Sequence, residues 1–146
     1  MRRMSDVEWR AFALTGTRTA KLAVVRRNGL AHVTPVWFLL DQSRGTDEIV
    51  FTTWHESVKG RLLRARPLFS VCVDDERPPY SYAMLECRVR EIVRDSQEVL
   101  TWATRLGQRY MGAELAADYG RRNSVPGELL VRATITNVIA LAGIAD

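Results

Sequence analysis

The chain has few of the residues that build metal sites and disulfide frameworks. It contains two cysteines and two histidines among 146 residues. Cys72 and Cys87 form no CxxC pair, and His32 and His55 are too few for a histidine-rich metal site. We therefore expect two reduced thiols and no bound metal.

Long apolar segments are also missing. No hydrophobic run approaches the roughly 20 residues of a membrane-spanning helix, and the polar start lacks the pattern of a signal peptide. The length and the hydrophobic fraction of 47% fit one globular domain over residues 1–146. We expect a cytoplasmic protein without a membrane span.

Several recognition motifs are absent as well. There is no basic tail, no helix-turn-helix pattern and no interleaving of basic and aromatic residues, so nucleic acid is not predicted as a partner. The motifs G-x-S-x-G, H-E-x-x-H, G-x-G-x-x-G and the Walker loop are missing too, and no catalytic residue is assigned. The net charge of +4 fits either solvated arginines or an anionic small-molecule ligand.

Periodicity of the apolar residues predicts six strands and several short helices. The predicted strands are Thr19–Arg26, Ala31–Leu40, Glu48–Trp54, Leu68–Val73, Tyr80–Val93 and Glu128 to about Leu141. The predicted helices are Ser5–Leu14 with a Ser5–Glu8 capping box, Ser57 to about Ala65, a helix that Asp95 caps, and a short helix around Glu114–Arg122.

Turn residues indicate how the strands pair. Asn28-Gly29 predicts a type I′ hairpin between the first two strands, because both residues readily adopt positive φ. Pro35 cannot donate a ladder hydrogen bond and marks an edge or a bulge. Parallel sheets need a crossover helix after nearly every strand. The element order therefore predicts a mainly β protein with a closed or partly closed antiparallel barrel.

The segment Phe51–Arg61 combines a strand end, a tight turn and a helix start. Thr52 supplies a hydroxyl at the strand end, while Ser57 and Lys59 lie at the helix start, where free amides attract anions. Spacing alone leaves two interpretations open. The segment is either an anion site or a capped amphipathic helix whose cations face water.

An ordered series of segments resembles the pyridoxamine-phosphate-oxidase superfamily, and within it the actinobacterial deazaflavin (coenzyme F-420)-dependent oxidoreductases. The segments are Thr34–Phe38, Phe51–Thr53, Ser57–Leu63, Arg66–Pro67, Ser70–Asp74 and the aromatic turn Asp75–Tyr82. The resemblance implies a six-stranded split β-barrel that forms a homodimer, with cofactor sites between the subunits. It also implies an enzyme that uses coenzyme F-420 to transfer a hydride to an electron-poor substrate such as an enone, a quinone or a tetrapyrrole.

The resemblance further implies three groups of cofactor contacts. Beside the tricyclic ring it places Thr34, Pro35, Val36 and Trp37. At the phosphate it places Thr52, Ser57 and Lys59, with Arg61 near the distal anionic tail. It also implies that Tyr80 and Tyr82 are candidates to reach the ring or the substrate from the partner subunit.

Two alternatives accompany this hypothesis. One is an FMN-dependent oxidase or reductase on the same barrel, since FMN carries one terminal phosphate and needs fewer cations than the deazaflavin, with its phosphodiester and glutamate carboxylates. The other is a dimeric protein that binds or carries the deazaflavin without turnover. The family often has an arginine before the helix lysine, where this chain has Val58.

Overall fold

The computed structural model describes all residues from Met1 to Asp146. The strands are β1 (Arg2–Arg3), β2 (Ala20–Val25), β3 (Ala31–Val36), β4 (Leu39–Asp41), β5 (Glu48–Trp54), β6 (Leu68–Asp75), β7 (Ser81–Val93) and β8 (Glu128–Ala142). The helices are α1 (Asp6–Leu14), α2 (Val58–Ala65), α3 (Ser96–Met111) and α4 (Ala116–Arg122), with a 3-10 turn at Ala113–Leu115 before α4.

One antiparallel sheet contains all eight strands, in the order β3-β2-β6-β7-β8-β5-β4, while β1 pairs with the far end of β8. The predicted mainly β, antiparallel architecture is therefore confirmed. Pro35 lies in β3, which is an edge strand, as its missing amide proton requires.

The predicted count of six strands is wrong. The two-residue strand β1 is additional, and the predicted strand Ala31–Leu40 is broken at Trp37 and Phe38 into β3 and β4. The break has a physical cause, because the amide of Phe38 donates to the hydroxyl of Tyr110 on α3 and not to a neighbouring strand. β3 and β4 end up at opposite edges of the sheet and do not pair with each other.

The hairpin between β2 and β3 also differs from the prediction. Arg26 and Leu30 pair across the turn, and the amide of Gly29 donates to the carbonyl of Arg26. Only Gly29 has a positive φ, of 84°, so the loop is a three-residue turn that ends in a left-handed glycine. Asn28 instead accepts a hydrogen bond from the amide of Leu30 through its side chain. The predicted type I′ turn is therefore wrong.

Two hydrophobic clusters hold the sheet and helices together. The larger one lies on one face of the sheet and includes Trp9 of α1, Leu63 of α2 and Phe38, all at most 1% exposed. The smaller one lies between α3 and the other face of the sheet, where Val99 and Trp102 pack against Val50, Val93 and Leu130. No helix combines the length and the apolar character needed to cross a bilayer.

Candidate functional site

A surface cavity of about 330 Å³ lies where β3 and β5 end and where α2 and β8 begin. Six of the ten predicted contact residues line it, together with five further residues. The predicted ones are Pro35, Val36, Trp37, Thr52, Ser57 and Lys59, and the others are Thr53, Trp54, Arg122, Asn123 and Glu128. The structure thus brings the predicted ring segment and the predicted phosphate segment to one place.

The start of α2 forms one wall of the cavity. The Oγ of Ser57 accepts a hydrogen bond of 3.0 Å from the amide of Gly60 and lies 2.9 Å from the Oγ1 of Thr53. When Thr53 is the donor of that pair, the Ser57 hydroxyl keeps its own proton for a ligand. The amides of Val58 and Lys59 in the first turn have no helical acceptor.

A glycine allows this helix to approach the strand end. A Cβ at Gly60 would lie 2.6 Å from the carbonyl oxygen of Trp54 and 3.0 Å from the Ser57 Oγ. Any larger residue would push the first turn of α2 away from β5. The close approach keeps the start of α2 against the strand end, where Thr52 and Lys59 line the same cavity.

The turn before β8 forms the opposite wall. Gly127 has a φ of 102°, and a Cβ there would lie 2.5 Å from the ring of Trp54. The carbonyl of Gly127 accepts a 3.0 Å hydrogen bond from the amide of His55, which ties this turn to the start of α2. Glu128 follows directly and pairs with Trp54 across β5 and β8, so its position beside the cavity is fixed by the sheet.

The end of α3 positions Trp37 and Phe38, which connect β3 to β4 and are called the Trp37 corner below. The ring of Trp37 stacks on Tyr110 at a centroid distance of 5.0 Å and an interplanar angle of 4°. The Tyr110 hydroxyl accepts a 3.2 Å hydrogen bond from the amide of Phe38 and donates one of 2.8 Å to the carbonyl of Arg18. Burial raises the pKa of this phenol, so it stays protonated as the donor.

Arg109 reinforces the same corner. Its guanidinium donates to the backbone carbonyls of Phe38 at 2.6 Å, Ala13 at 2.9 Å and Gly16 at 3.1 Å. Burial lowers its pKa, yet three carbonyls replace the water that this side chain gives up. α3 therefore connects α1, the segment before β2 and the β3–β4 break into one frame around Trp37.

The charges of the cavity are incompletely compensated. Burial lowers the pKa of Lys59 and raises the pKa of Glu128, and each charge partly offsets the shift of the other. The two side chains form no salt bridge within 4.0 Å. Lys59 is thus a half-buried cation without a contacting carboxylate, which is a favourable place for an external anion.

Arg122 supplies a second cation to the cavity. It lies at the C-terminal end of α4, has no salt-bridge partner, and its guanidinium lies 5.5 Å from the ring centroid of Tyr119. That ring in turn contacts Trp37 at a centroid distance of 5.6 Å. A cation from α4 therefore lines the same cavity as the start of α2.

Thr34 and Arg61, two of the predicted contact residues, lie outside the cavity. Thr34 lies one residue before it on β3, and its Oγ1 is buried without a hydrogen-bond partner. Arg61 borders a separate groove of about 300 Å³ together with Arg26, Val58 and Leu62. An α-helix rotates by roughly 100° per residue, so Arg61, two residues after Lys59, lies on nearly the opposite face of α2.

Tyr80 and Tyr82 lie at the other end of the β7–β8 pair. Tyr82 is paired with Leu141, whereas the cavity end of the same ladder is at Val93 and Leu130. Across β2 and β6, however, this end of β7 faces the β3 side of the cavity, because Pro35 pairs with Lys21, Lys21 with Cys72 and Cys72 with Met84. Neither tyrosine lines the cavity.

Sequence reasoning missed Arg122, Asn123 and Glu128 as cavity residues. A helix around Glu114–Arg122 and a strand from Glu128 were predicted, but no local motif links them to Thr52 or Lys59. The Pro126-Gly127 turn is the one available signal, because it marks Glu128 as the first residue of a strand. Which strand it joins depends on the pairing of β8 with β5.

Comparison with known proteins gives a family match over nearly the whole chain. The family model described as pyridoxamine 5'-phosphate oxidase matches residues 6–142. No curated protein sequence matches the chain. Among solved structures, an F-420 reductase has 26% sequence identity and a TM-score of 0.67, covering 88% of this chain and 94% of that chain.

Two further structures share the fold at lower identity. The conserved hypothetical protein Rv2991 from Mycobacterium tuberculosis has a TM-score of 0.79 and 22% identity, covering 96% of this chain and 86% of that chain. HutZ, a heme storage protein from Vibrio cholerae, has a TM-score of 0.68 and 17% identity, with both chains fully covered. At these identities the likeness concerns the fold.

Proposed function

Because the chain belongs to the pyridoxamine 5'-phosphate oxidase family, we propose that it is a deazaflavin-dependent oxidoreductase of the split-barrel type. Its substrate is an electron-poor organic molecule, such as an enone, a quinone or a tetrapyrrole, that accepts a hydride. One observation carries the proposal. Lys59 and Arg122, neither paired with a carboxylate, line one cavity together with Trp37 and the Thr52 hydroxyl.

The residues of the cavity fit the phosphodiester of coenzyme F-420. Lys59 and Arg122 supply charge, while Thr52, Ser57 and the first amides of α2 supply donors of hydrogen bonds. Thr52 lines the cavity and its hydroxyl has no partner in the chain. Half-buried Lys59 regains by contact with an anion the interactions that it loses to desolvation.

The ring of the cofactor belongs beside the segment Pro35–Trp37. Arg109 and Tyr110 hold the backbone of the next residue, Phe38, and the Tyr110 ring stacks on Trp37, so this wall is positioned before a ligand arrives. The bound deazaflavin supplies the hydride chemistry. The protein's part is to orient the ring, to keep water from it and to hold the phosphodiester, which explains why no residue with a catalytic motif is needed.

A homodimer belongs to the same proposal. Tyr80 is 44% exposed and does not line the cavity of its own chain, so we assign it to the cofactor site of a second copy. Val25 and Leu68, exposed by 48% and 43%, border an apolar groove of about 290 Å³ on the outside of β2 and β6. Such a groove is a suitable part of a subunit interface.

Titration of the purified protein with coenzyme F-420 and with FMN, followed by tryptophan fluorescence, tests the proposal. Trp37 and Trp54 line the cavity and report on its occupancy. We expect micromolar affinity for coenzyme F-420 and reoxidation of its reduced form by members of a panel of enones and quinones. Binding without reoxidation by any acceptor indicates a carrier, preferential binding of FMN indicates a flavin enzyme, and binding of neither refutes the proposal.

A further inference from the structure

One carboxylate shares the cavity with the two cations. Lys59 and Arg122 contribute two positive charges and Glu128 contributes one negative charge, so the formal charge of the lining is +1. Glu128 is half-buried and is bonded through its amide to the carbonyl of Val125 at 3.0 Å. No salt bridge to either cation neutralises it locally, and its field therefore acts on any ligand in the cavity.

A lining with this charge discriminates between anions of different charge. The attraction between a ligand and the lining grows in proportion to the ligand's charge, whereas the Born cost of removing the ligand from water grows with the square of that charge. A lining of +2 compensates a dianion. Lining side chains with a net charge of +1 compensate a monoanion. A dianion would leave one negative charge unpaired beside the carboxylate of Glu128.

We propose that Glu128 is a specificity-determining residue that makes this cavity select a phosphodiester monoanion over a phosphomonoester dianion. The inference rests on the proposed function, because it takes the ligand to be a phosphate-bearing cofactor. It adds a reason for cofactor choice that is independent of the ring, since coenzyme F-420 is a phosphodiester and FMN is a phosphomonoester. The hydroxyl and amide donors of α2 serve both ligands equally.

A pair of ligands with one ring tests the inference. The 8-hydroxy-5-deazaflavin bearing a 5'-phosphate and the same compound bearing a 5'-methyl phosphodiester share the ring and the side chain and differ in the charge of the phosphate and in one methyl group. At pH 8 the monoester is a dianion, because its second pKa is near 6. Their dissociation constants are measured by tryptophan fluorescence for the wild-type protein, for Glu128→Gln and for the control Glu56→Gln. Glu56 is an exposed glutamate near the start of α2 that does not line the cavity.

The wild-type protein and the control are expected to bind the diester more tightly than the monoester. Glu128→Gln is expected to tighten binding of the monoester about tenfold more than binding of the diester. Tighter wild-type binding of the monoester overturns the inference without reference to any variant. An unchanged preference in Glu128→Gln, or an equal change in Glu56→Gln, overturns it too and leaves the proposed function standing. Binding of neither ligand overturns both.

Discussion

The hydroxyl of Tyr110 offers a sharp test of how the Trp37 corner is held. Tyr110→Phe keeps the ring that stacks on Trp37 at 5.0 Å but removes the acceptor of the Phe38 amide and the donor to the Arg18 carbonyl. Phe38 is fully buried, so its amide proton finds no water as a replacement. The Arg18 carbonyl retains a longer contact of 3.4 Å from Arg109.

The magnitude follows from these two contacts. An unsatisfied buried donor costs about 1–3 kcal/mol, and the lost bond to Arg18 is partly replaced. We therefore expect Tyr110→Phe to lower the free energy of unfolding by about 2 kcal/mol, which corresponds to a melting temperature lower by roughly 4–8 °C for a chain of this size. Urea denaturation followed by tryptophan fluorescence measures the first quantity and calorimetry the second.

Tyr119→Phe is the matched control. Tyr119 also contacts the ring of Trp37, at 5.6 Å, but its hydroxyl forms no hydrogen bond within the chain. Its removal is expected to change the free energy of unfolding by less than about 0.5 kcal/mol. A Tyr110→Phe protein as stable as the Tyr119→Phe protein would show that the Tyr110 hydroxyl does not hold the Phe38 amide.

Three further outcomes are expected. Lys59→Ala should weaken the binding of coenzyme F-420 by about 1.5–3 kcal/mol and leave the melting temperature of the apoprotein nearly unchanged; unchanged affinity in a titration returns Lys59 to a solvated surface role. Cys87 should resist maleimide at pH 8 in the folded protein, because burial raises the pKa of its thiol to about 12. Burial also raises the pKa of the Cys72 thiol, which should therefore react slowly. Labelling of Cys87 within minutes, detected by mass spectrometry, would contradict this expectation. Arg90→Met should lower the free energy of unfolding, measured by urea denaturation, by about 3 kcal/mol, because it leaves the carboxylate of Glu48 buried without its partner. This value is at the low end for a broken buried ion pair, and a loss below about 1 kcal/mol would contradict the expectation.

Local signals in the sequence predicted most elements and failed where distant contacts decide. The Ser5–Glu8 capping box and the cap at Ser57 both form as predicted, because each involves residues three positions apart. The break at Trp37–Phe38 could not be predicted, since its cause is the hydroxyl of Tyr110, seventy-two residues away. Tyr110 itself fits the apolar period of α3, and that period carries no information about its hydrogen bonds.

The residues of the candidate site were also predictable only where they lie close together in sequence. Thr52, Ser57 and Lys59 occupy one short segment, and that segment alone suggested an anion site. Arg122 and Glu128 reach the same cavity because β8 pairs with β5 and because α4 ends shortly before β8 begins. No local sequence pattern shows which strand β8 pairs with. The segments on which the resemblance was quoted, Thr34 to Tyr82, contain neither residue, and its weaker match to the C-terminal strand assigned no role to Glu128.

A crystal structure of the protein with coenzyme F-420 would show where the cofactor binds. We expect the phosphodiester in the cavity at the start of α2, within hydrogen-bond distance of Lys59 and Thr52, with Arg122 beside it and the ring along Pro35–Trp37. A phosphodiester bound elsewhere, for example in the apolar groove beside Leu68, would contradict this expectation.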